Sequence, residues 1–305
     1  MKKFIVSTTI NPVTSAVKLY DSFDGWTLVM AGDLKTPKDY RLVNGIYLSP
    51  ADQDELDHTL SELIGWNCIQ RRNLAMLYAI KNGADIIALV DDDNIPLDNW
   101  GTRVYIGEEV EVTEFLCQDQ AFDPIGAAGE LNLWHRGFPL ELIATREYSQ
   151  KQKTTLKATI QANFWNGDPD IDAICRMEHR PSVTFDGRNF PFTSNKPAPF
   201  NSQNTLISRA VFSDYFLFPF VGRMDDIWAA YYVQAKDHAV IFGEPTVFQD
   251  RNKHDLVEDM KREYIGYENN LNLLKDLSSD ADLILKYLPG RSIAAWNRYR
   301  RIIGD

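Results

Sequence analysis

Three short apolar runs occur in the first hundred residues, and each is followed by polar or turn-forming residues. They cover residues 4–7, 26–30 and 86–90. Consecutive apolar positions of this length are typical of strands buried on both faces of a parallel sheet. Between the second and third runs, residues 69–82 have apolar side chains at helical spacing and lead to Gly83, an expected helix C-cap. This order predicts βαβ units and an α/β fold.

The pattern is less regular between residues 105 and 220, which are rich in aromatic residues, Pro, Gly and Asn. Irregular segments of this kind in a compact domain are usually binding loops or lids. Helical spacing returns at Asp225, a short strand is expected over residues 239–242, and the tail is mostly helical. We therefore predict one large domain, residues 1–265, with a helical C-terminal extension, residues 266–305, packed on it.

The C-terminal stretch RSIAAWNRYRRIIGD is basic and amphipathic. Such a segment can dock on an anionic membrane or on another subunit. The favoured interpretation is a helix that packs on its own domain and turns a basic face to solvent.

The net charge of −11 argues against non-specific nucleic-acid binding, which needs a basic face to displace counterions. The N-terminal sequence MKKFIVSTTINPVTS has too short an apolar run for a signal peptide and is expected to begin the first strand. No apolar run approaches the length of a transmembrane helix. The three cysteines are widely spaced and are expected to be reduced. We expect a cytoplasmic protein, or one on the cytosolic face of a membrane; a homo-oligomer is left open.

Three adjacent aspartates, Asp91, Asp92 and Asp93, directly follow the third apolar run. Adjacent carboxylates repel one another unless a cation neutralises them, and Mn²⁺ or Mg²⁺ can do so while bridging nucleotide phosphates. Because side chains alternate along a strand, we expect Asp91 and Asp93 to converge on the metal while Asp92 points elsewhere. The alternative is a solvated acidic turn, which the βαβ context makes less favoured.

Polar residues also follow the first two apolar runs. Thr8, Thr9 and Asn11 come after the first run, and Asp33 comes after the second. Ligands of α/β sheets sit at the carboxyl ends of the strands. We therefore expect these four residues to contact the base and ribose of a nucleotide.

Arginines and acids open two of the predicted helices. Arg71 and Arg72 begin the helix before the three aspartates, where they suit a phosphate or a neighbouring carboxylate. A solvated helix start is the alternative for this pair. Asp225 and Asp226 begin a later helix, where the helix dipole favours acids. In the functional alternative, one of these two is a base or a hydroxyl-binding carboxylate.

Two further segments carry candidate chemistry. Residues 134–139, WHRGFP, combine the cation Arg136 with a glycine and aromatic rings. They either form a sugar- and phosphate-binding pocket or a turn packed on the core. Asp250 and His254 follow the last short strand and are candidates to complete a metal shell.

Six sequence blocks, in order, resemble the reversibly glycosylated polypeptide family. The blocks are VSTTIN, IIALVDDDNIP, WHRGFPLEL, NFWNGDPDIDA, FVGRMDDIWAAY and KREYIG. Plant members of that family are UDP-arabinopyranose mutases with a glycosyltransferase-A fold. The resemblance implies a Rossmann-like, mostly parallel sheet flanked by helices. The segment RRNLAMLYAIKNGADII is also similar to a second, glycosyltransferase-like family, the plant STELLO proteins.

The resemblance also implies roles for individual residues. It implies metal and diphosphate binding at Asp91, Asp92 and Asp93, and it places Asp225 and Asp226 near the sugar. Arg136 matches the family's glycosylated arginine; because a guanidinium is a poor nucleophile, we predict that it clamps the diphosphate. The family's second arginine is Ile143 here, with Arg146 nearby. The family's histidine aligns with Asp250, and His254 needs a shift in the alignment, so the third metal ligand is open between them.

The leading functional hypothesis is a metal-dependent mutase that interconverts the pyranose and furanose forms of a UDP- or GDP-sugar. A glycosyltransferase that uses the same donor site is the main alternative, and a self-glycosylated, non-catalytic subunit is the third. We expect Mn²⁺ or Mg²⁺ as the cofactor. No flavin or nicotinamide is expected, because no GxGxxG motif follows the first strand.

Overall fold

The computed structural model describes residues 1–250 and 255–304. Within them, eleven strands form one sheet. The strands are β1 (Lys3–Thr9), β2 (Trp26–Gly32), β3 (Ile46–Leu48), β4 (Ile86–Val90), β5 (Asn94–Pro96), β6 (Glu109–Phe115), β7 (Lys151–Lys157), β8 (Ile160–Gly167), β9 (Phe192–Ser194), β10 (Asn204–Ser208) and β11 (Val240–Gln249). The three strands predicted in the first hundred residues are confirmed as β1, β2 and β4.

Eight α-helices accompany the sheet in the described residues. They are α1 (Ser15–Tyr20), α2 (Pro50–Ile64, kinked at Asp57), α3 (Arg72–Lys81), α4 (Pro124–Ala127), α5 (Ala173–His179), α6 (Asp225–Ala235), α7 (Leu256–Leu277) and α8 (Gly290–Ile303). Short 3₁₀ turns cover Ile69–Arg71, Leu140–Thr145, Arg209–Val211 and Ala281–Lys286. The α/β class, with a large sheet flanked by helices, is confirmed.

The sheet has a parallel block and a mixed block. In the strand order β3-β2-β1-β4-β10-β8-β11-β9-β6-β7, the first four strands are parallel. Strand β10 runs antiparallel to both β4 and β8, and β8 is parallel to β11. The carboxyl ends of β1, β2, β4, β8 and β11 therefore meet the amino end of β10 at one edge of the sheet.

The irregular middle of the sequence contains central strands of this sheet. Both β8 and β10 lie between 105 and 220, and sequence periodicity did not locate them. Strand β8 is buried at almost every position, including the polar Gln161 and Asn163, so its residues show no alternation. Gln161 is satisfied internally, since its amide donates to the carbonyl of Arg103 and to Asn163.

The C-terminal helices pack on the rest of the chain. The boundary expected at residues 265/266 falls inside the continuous helix α7. Helix α8 buries Ala295, Trp296 and Tyr299 and contacts α2 and α3. None of the helices in the described residues has the length and apolar character needed to cross a membrane.

Candidate active site

The edge where the strand ends meet carries a cavity of about 600 Å³. This volume is in the usual range of small-ligand sites. Its walls come from segments far apart in the sequence, some of which follow or precede strands at this edge and some of which belong to helices. The lining includes Thr8, Ile10, Gln70, Arg72, Asp91, Asp92, Asp93, Arg136, Ser202, Gln203, Arg223, Asp225, Asp226, Gln249 and Arg262.

All three adjacent aspartates line this cavity. Strand β4 ends at Val90, so the alternation expected for Asp91–Asp93 does not extend to them, and the expectation that Asp92 points elsewhere is wrong. Asp92 accepts hydrogen bonds from Thr9 Oγ1 at 2.5 Å and Asn11 Nδ2 at 3.1 Å. These bonds fix the turn after β4 against the end of β1.

A smaller cavity of about 210 Å³ adjoins this turn and brings together the predicted nucleotide contacts. Thr8, Thr9, Asn11 and Asp33 all line it. The buried Asp33 carboxylate accepts from the backbone N–H groups of residues 34, 67 and 68, at 2.6, 2.8 and 3.1 Å. Asp33 therefore shapes this cavity by holding the 65–68 loop in place.

The adjacent arginines Arg71 and Arg72 have different surroundings. Arg72 Nη2 donates to Asp91 Oδ1 at 2.6 Å and lines the main cavity. Arg71 is not part of the cavity wall. Its guanidinium lies 3.6 Å from the centre of the Trp66 ring, and its Nε donates to Gln53 at 2.8 Å. Burial lowers the pKa of Arg71 to about 10. Arg71 thus anchors α2 and the 65–68 loop, and of the two arginines only Arg72 lines the cavity.

Arg136 is held between two buried carboxylates. Its Nε and Nη2 donate to Asp170 at 2.9 Å each, and its Nη1 and Nη2 donate to Asp226 at 3.0 and 3.1 Å. Nη1 also donates to the carbonyl of Arg223. These bonds use the five N–H donors of a guanidinium. Burial lowers the pKa of Arg136, but Asp170 and Asp226 outweigh it and raise that pKa well above its ordinary value.

This geometry changes the role expected for Arg136. It lines the cavity but has no N–H left to clamp a diphosphate, so it acts as a positioning residue for Asp170 and Asp226. The rest of the 134–139 segment packs as a turn on the core. Trp134 Nε1 donates to Asp172 at 2.6 Å, and the Gly137 carbonyl accepts from Tyr231. The arginine near the family's second position, Arg146, pairs with Asp123 at 2.6 Å and is not among the cavity residues.

Asp225 lines the cavity and is next to the Arg136 cluster. Gln70 Nε2 donates to its Oδ2 at 2.8 Å. Burial, followed by the neighbouring charge of Asp226, raises the pKa of Asp225 to about 7. Burial also raises the pKa of Asp172 to about 7. Asp172, however, caps α5 and is not part of the cavity wall. The combination of raised pKa and cavity position makes Asp225 a candidate proton acceptor.

The cavity wall offers oxygen atoms, which are the ligands that a hard divalent ion prefers. The described residues contain no group of three His, Cys, Asp or Glu side chains already placed to hold a metal ion. Asp91 and Asp93 supply carboxylate oxygens at the cavity wall. Buried Gln249 also lines the cavity, and its Oε1 has no hydrogen-bond partner among the described residues. Asp250 is exposed just after β11, and His254 lies outside the described residues. The third ligand therefore stays a prediction.

Several cavity or cluster residues were not singled out from the sequence. They include Gln70, Asp170, Ser202 and Gln249. Asp170 belongs to the GDPDIDA block, whose acids were a visible signal. Ser202 precedes β10, and its N–H donates to Asp226 at 3.0 Å while its carbonyl accepts from Arg72 at 2.6 Å. Ser202 therefore links Arg72 to Asp226, the partner of Arg136, and no local sequence pattern indicates this link.

The chain is similar to two plant proteins. It is 26% identical over 232 residues to "Probable glycosyltransferase STELLO2" of Arabidopsis thaliana and 26% identical over 238 residues to "Probable glycosyltransferase STELLO1" of the same plant. Each match covers 69% of this chain and 30% of the relative, so the chain spans about a third of the length of these curated relatives. No protein-family model matches the chain.

The chain also has a weak similarity to two solved structures. Glucosyl-3-phosphoglycerate synthase from Mycobacterium tuberculosis, in complex with phosphoglyceric acid, has a TM-score of 0.47 and 11% identity, over 90% of this chain and 79% of that one. A mycobacterial protein has a TM-score of 0.42 and 11% identity, over 89% and 75%. The similarity to STELLO proteins is confirmed. Both plant relatives are named as probable glycosyltransferases and not as mutases.

Proposed function

We propose that this chain is a glycosyltransferase that moves a sugar from a nucleoside-diphosphate sugar to an acceptor hydroxyl. The observation that carries the proposal is the position of Asp225, a carboxylate with a pKa of about 7 in the cavity that also contains Asp91, Asp92 and Asp93. The sequence similarity to probable glycosyltransferases supports the same class. The mutase hypothesis lacks this second support.

The donor has a natural place along the sheet edge. The base and ribose occupy the smaller cavity beside Thr8, Asn11 and Asp33, and the diphosphate lies toward Asp91 and Asp93. A divalent ion held by Asp91 and Asp93 would neutralise the charge of the departing diphosphate. Gln249, and Asp250 or His254, are candidates for its remaining ligands.

The transfer needs one proton acceptor, and Asp225 supplies it. The acceptor oxygen bonds to the anomeric carbon, the bond from that carbon to the diphosphate oxygen breaks, and the hydroxyl proton passes to the Asp225 carboxylate. Gln70 orients this carboxylate through its hydrogen bond. Asp226, fixed by Arg136 and Ser202, shapes the wall beside it.

The test is to incubate the purified chain with Mn²⁺ and a panel of UDP- and GDP-sugars, first without and then with a panel of sugar acceptors. A transferase leaves the donors unchanged, or hydrolyses them slowly, until an acceptor is added, and then forms a glycoside and free nucleoside diphosphate. A product of unchanged mass from a donor alone, separated by anion-exchange chromatography, would instead establish the mutase.

A further inference from the structure

A second cavity, of about 590 Å³, adjoins the first and shares Gln70, Gly222 and Arg262 with it. The two differ in charge. The first cavity is lined by five aspartates and four arginines, whereas the second is lined by Arg262 and Arg291 and, in the part of the chain described, by no Asp or Glu. In a protein with a net charge of −11, this is a local reversal of sign.

Within residues 1–250 and 255–304, neither arginine of the second cavity is neutralised by a buried carboxylate. The Arg262 side chain is 64% exposed, and its ion-pair partner, Glu258, is a solvent-exposed neighbour one helical turn away at 3.4 Å. Exposed pairs of this kind contribute little. Arg291 donates to the backbone carbonyls of Leu63 at 3.0 Å and Glu62 at 2.5 Å. Its position is fixed by neutral groups, so its positive charge is available to an anion.

An aromatic ring is fixed at the wall of the same cavity. Phe220 is 48% exposed and has a φ of 67°, a conformation that is unfavourable for a bulky side chain. The loop is locked on α7, because a Cβ at Gly222 would collide with the Arg262 carbonyl, which also accepts from Arg223 N at 3.1 Å. The Arg291 guanidinium lies 4.8 Å from the centre of the Phe220 ring. Strain of this kind concentrates at ligand-binding positions.

Gln70 connects this cavity to the proposed base. It lines both cavities, and its Nε2 donates to Asp225 Oδ2 at 2.8 Å. A molecule seated in the second cavity therefore has its inner end beside Gln70, the hydrogen-bond partner of Asp225, and its outer end beside Arg262 and Arg291.

We propose that the second cavity is the acceptor site, and that the acceptor is a ring-containing hydroxyl compound with a negatively charged group, either phosphate or carboxylate. The proposal rests on the transferase function proposed above. The ring packs against Phe220, the anion pairs with Arg262 and Arg291, and a hydroxyl reaches Asp225.

Three small sugars test this proposal by binding alone. Methyl glucoside is the neutral probe, methyl glucuronide carries a carboxylate, and glucose 6-phosphate carries a phosphate. Each is titrated calorimetrically into the full chain in the presence of UDP and Mn²⁺. We expect at least one anionic probe to bind about tenfold more tightly than the neutral one, since charge-assisted bonds to arginine are strong. The difference in affinity between the two anionic probes shows whether the site prefers a carboxylate or a phosphate.

Variants show whether the two arginines cause the preference. Arg262→Gln alone should reduce it, and Arg262→Gln with Arg291→Gln should abolish it. Lys261→Gln is the matched control, because Lys261 lies on the same helix, pairs with the same Glu258 at 3.6 Å and is not among the cavity residues. Equal binding of all three probes, no binding of any probe, or a preference that persists in the double variant would overturn the proposal. Failure of the transferase function looks different: the anion preference remains, but no donor yields a glycoside.

Discussion

Two buried arginines each pair with an aspartate that has further aspartates nearby, and the surplus negative charge differs in its surroundings between the two regions. At the end of β4, Arg72 pairs with Asp91, whose side chain is 17% exposed. Asp92 next to it is held by neutral donors, and Asp93 also lines the cavity. Surplus charge at a cavity wall can be balanced by a cation from solution. This region therefore suits a divalent ion and the phosphates that it bridges.

The region around Arg136 is more deeply buried. The side chain of Asp170 is 0% exposed, and that of Asp226 is 6% exposed. Arg136 offsets the charge of these two carboxylates. The pKa of a third carboxylate nearby, Asp225, is raised to about 7, so a proton can balance its negative charge. The comparison supports the proposal of metal binding at the strand end and proton transfer at the start of α6.

The largest expected effect is on stability, from Arg136→Met. It leaves two buried carboxylates without a cation, which costs about 3–5 kcal/mol of unfolding free energy. Arg72→Met should cost clearly less, because water reaches its partner Asp91. Urea unfolding of both variants measures the difference. Equal losses would show that the two regions do not differ in desolvation.

Asp225→Asn has the largest expected effect on catalysis. Removal of a general base lowers a reaction rate by about 10²–10⁴-fold. Donor affinity should change little, because the three aspartates after β4 are retained. Single-turnover transfer at saturating donor measures the rate. A variant that kept the wild-type rate would exclude Asp225 as the base.

Asp93→Asn should weaken Mn²⁺ binding by about tenfold or more, the scale on which changes to metal sites act. Free Mn²⁺ can be followed by electron paramagnetic resonance with the protein alone. Asp98→Asn, a loss of the same charge at an exposed position nearby, is the control. Equal weakening by both substitutions would indicate a general charge effect and no specific site.

The smallest expected effect is a shift in pH dependence. Asp225 accepts a proton only when ionised, so kcat should fall as the pH falls through about 7 and level off above it. The hydrogen bond from Gln70 lowers that pKa, so Gln70→Leu should move the acid limb to higher pH. Gln152→Leu, at an exposed contact on β7, should leave it in place. If the acid limb of the Gln70→Leu variant moved to lower pH or did not move, the role of Gln70 in setting the pKa of Asp225 would be contradicted.

The sequence predicted the positions of strand ends better than the partners of side chains. Hydrophobic runs located β1, β2 and β4, and with them the region where Thr8, Asp33 and the three aspartates gather. Adjacent residues on a helix do not share a direction, so at most one of Arg71 and Arg72 was free to face the ligand. The sequence alone did not indicate which one.

The Arg136 cluster lay beyond sequence reasoning because its parts are distant in the chain. Asp170 is separated from Arg136 by 34 positions and Asp226 by 90. The segment WHRGFP shows a cation, but nothing in it reveals that two carboxylates and a backbone carbonyl will use all of its donors. Arg136 was expected to clamp a phosphate, and it is a positioning residue because the fold brings its distant partners to it.

The stereochemistry of transfer tests the central claim most directly. If Asp225 takes the proton from an acceptor that attacks the anomeric carbon in a single displacement, the sugar must invert. Proton NMR of the first product formed from an α-linked nucleoside-diphosphate sugar should therefore show a β-linked glycoside. An α-linked product, or an isomerised donor formed with no acceptor present, would contradict the account.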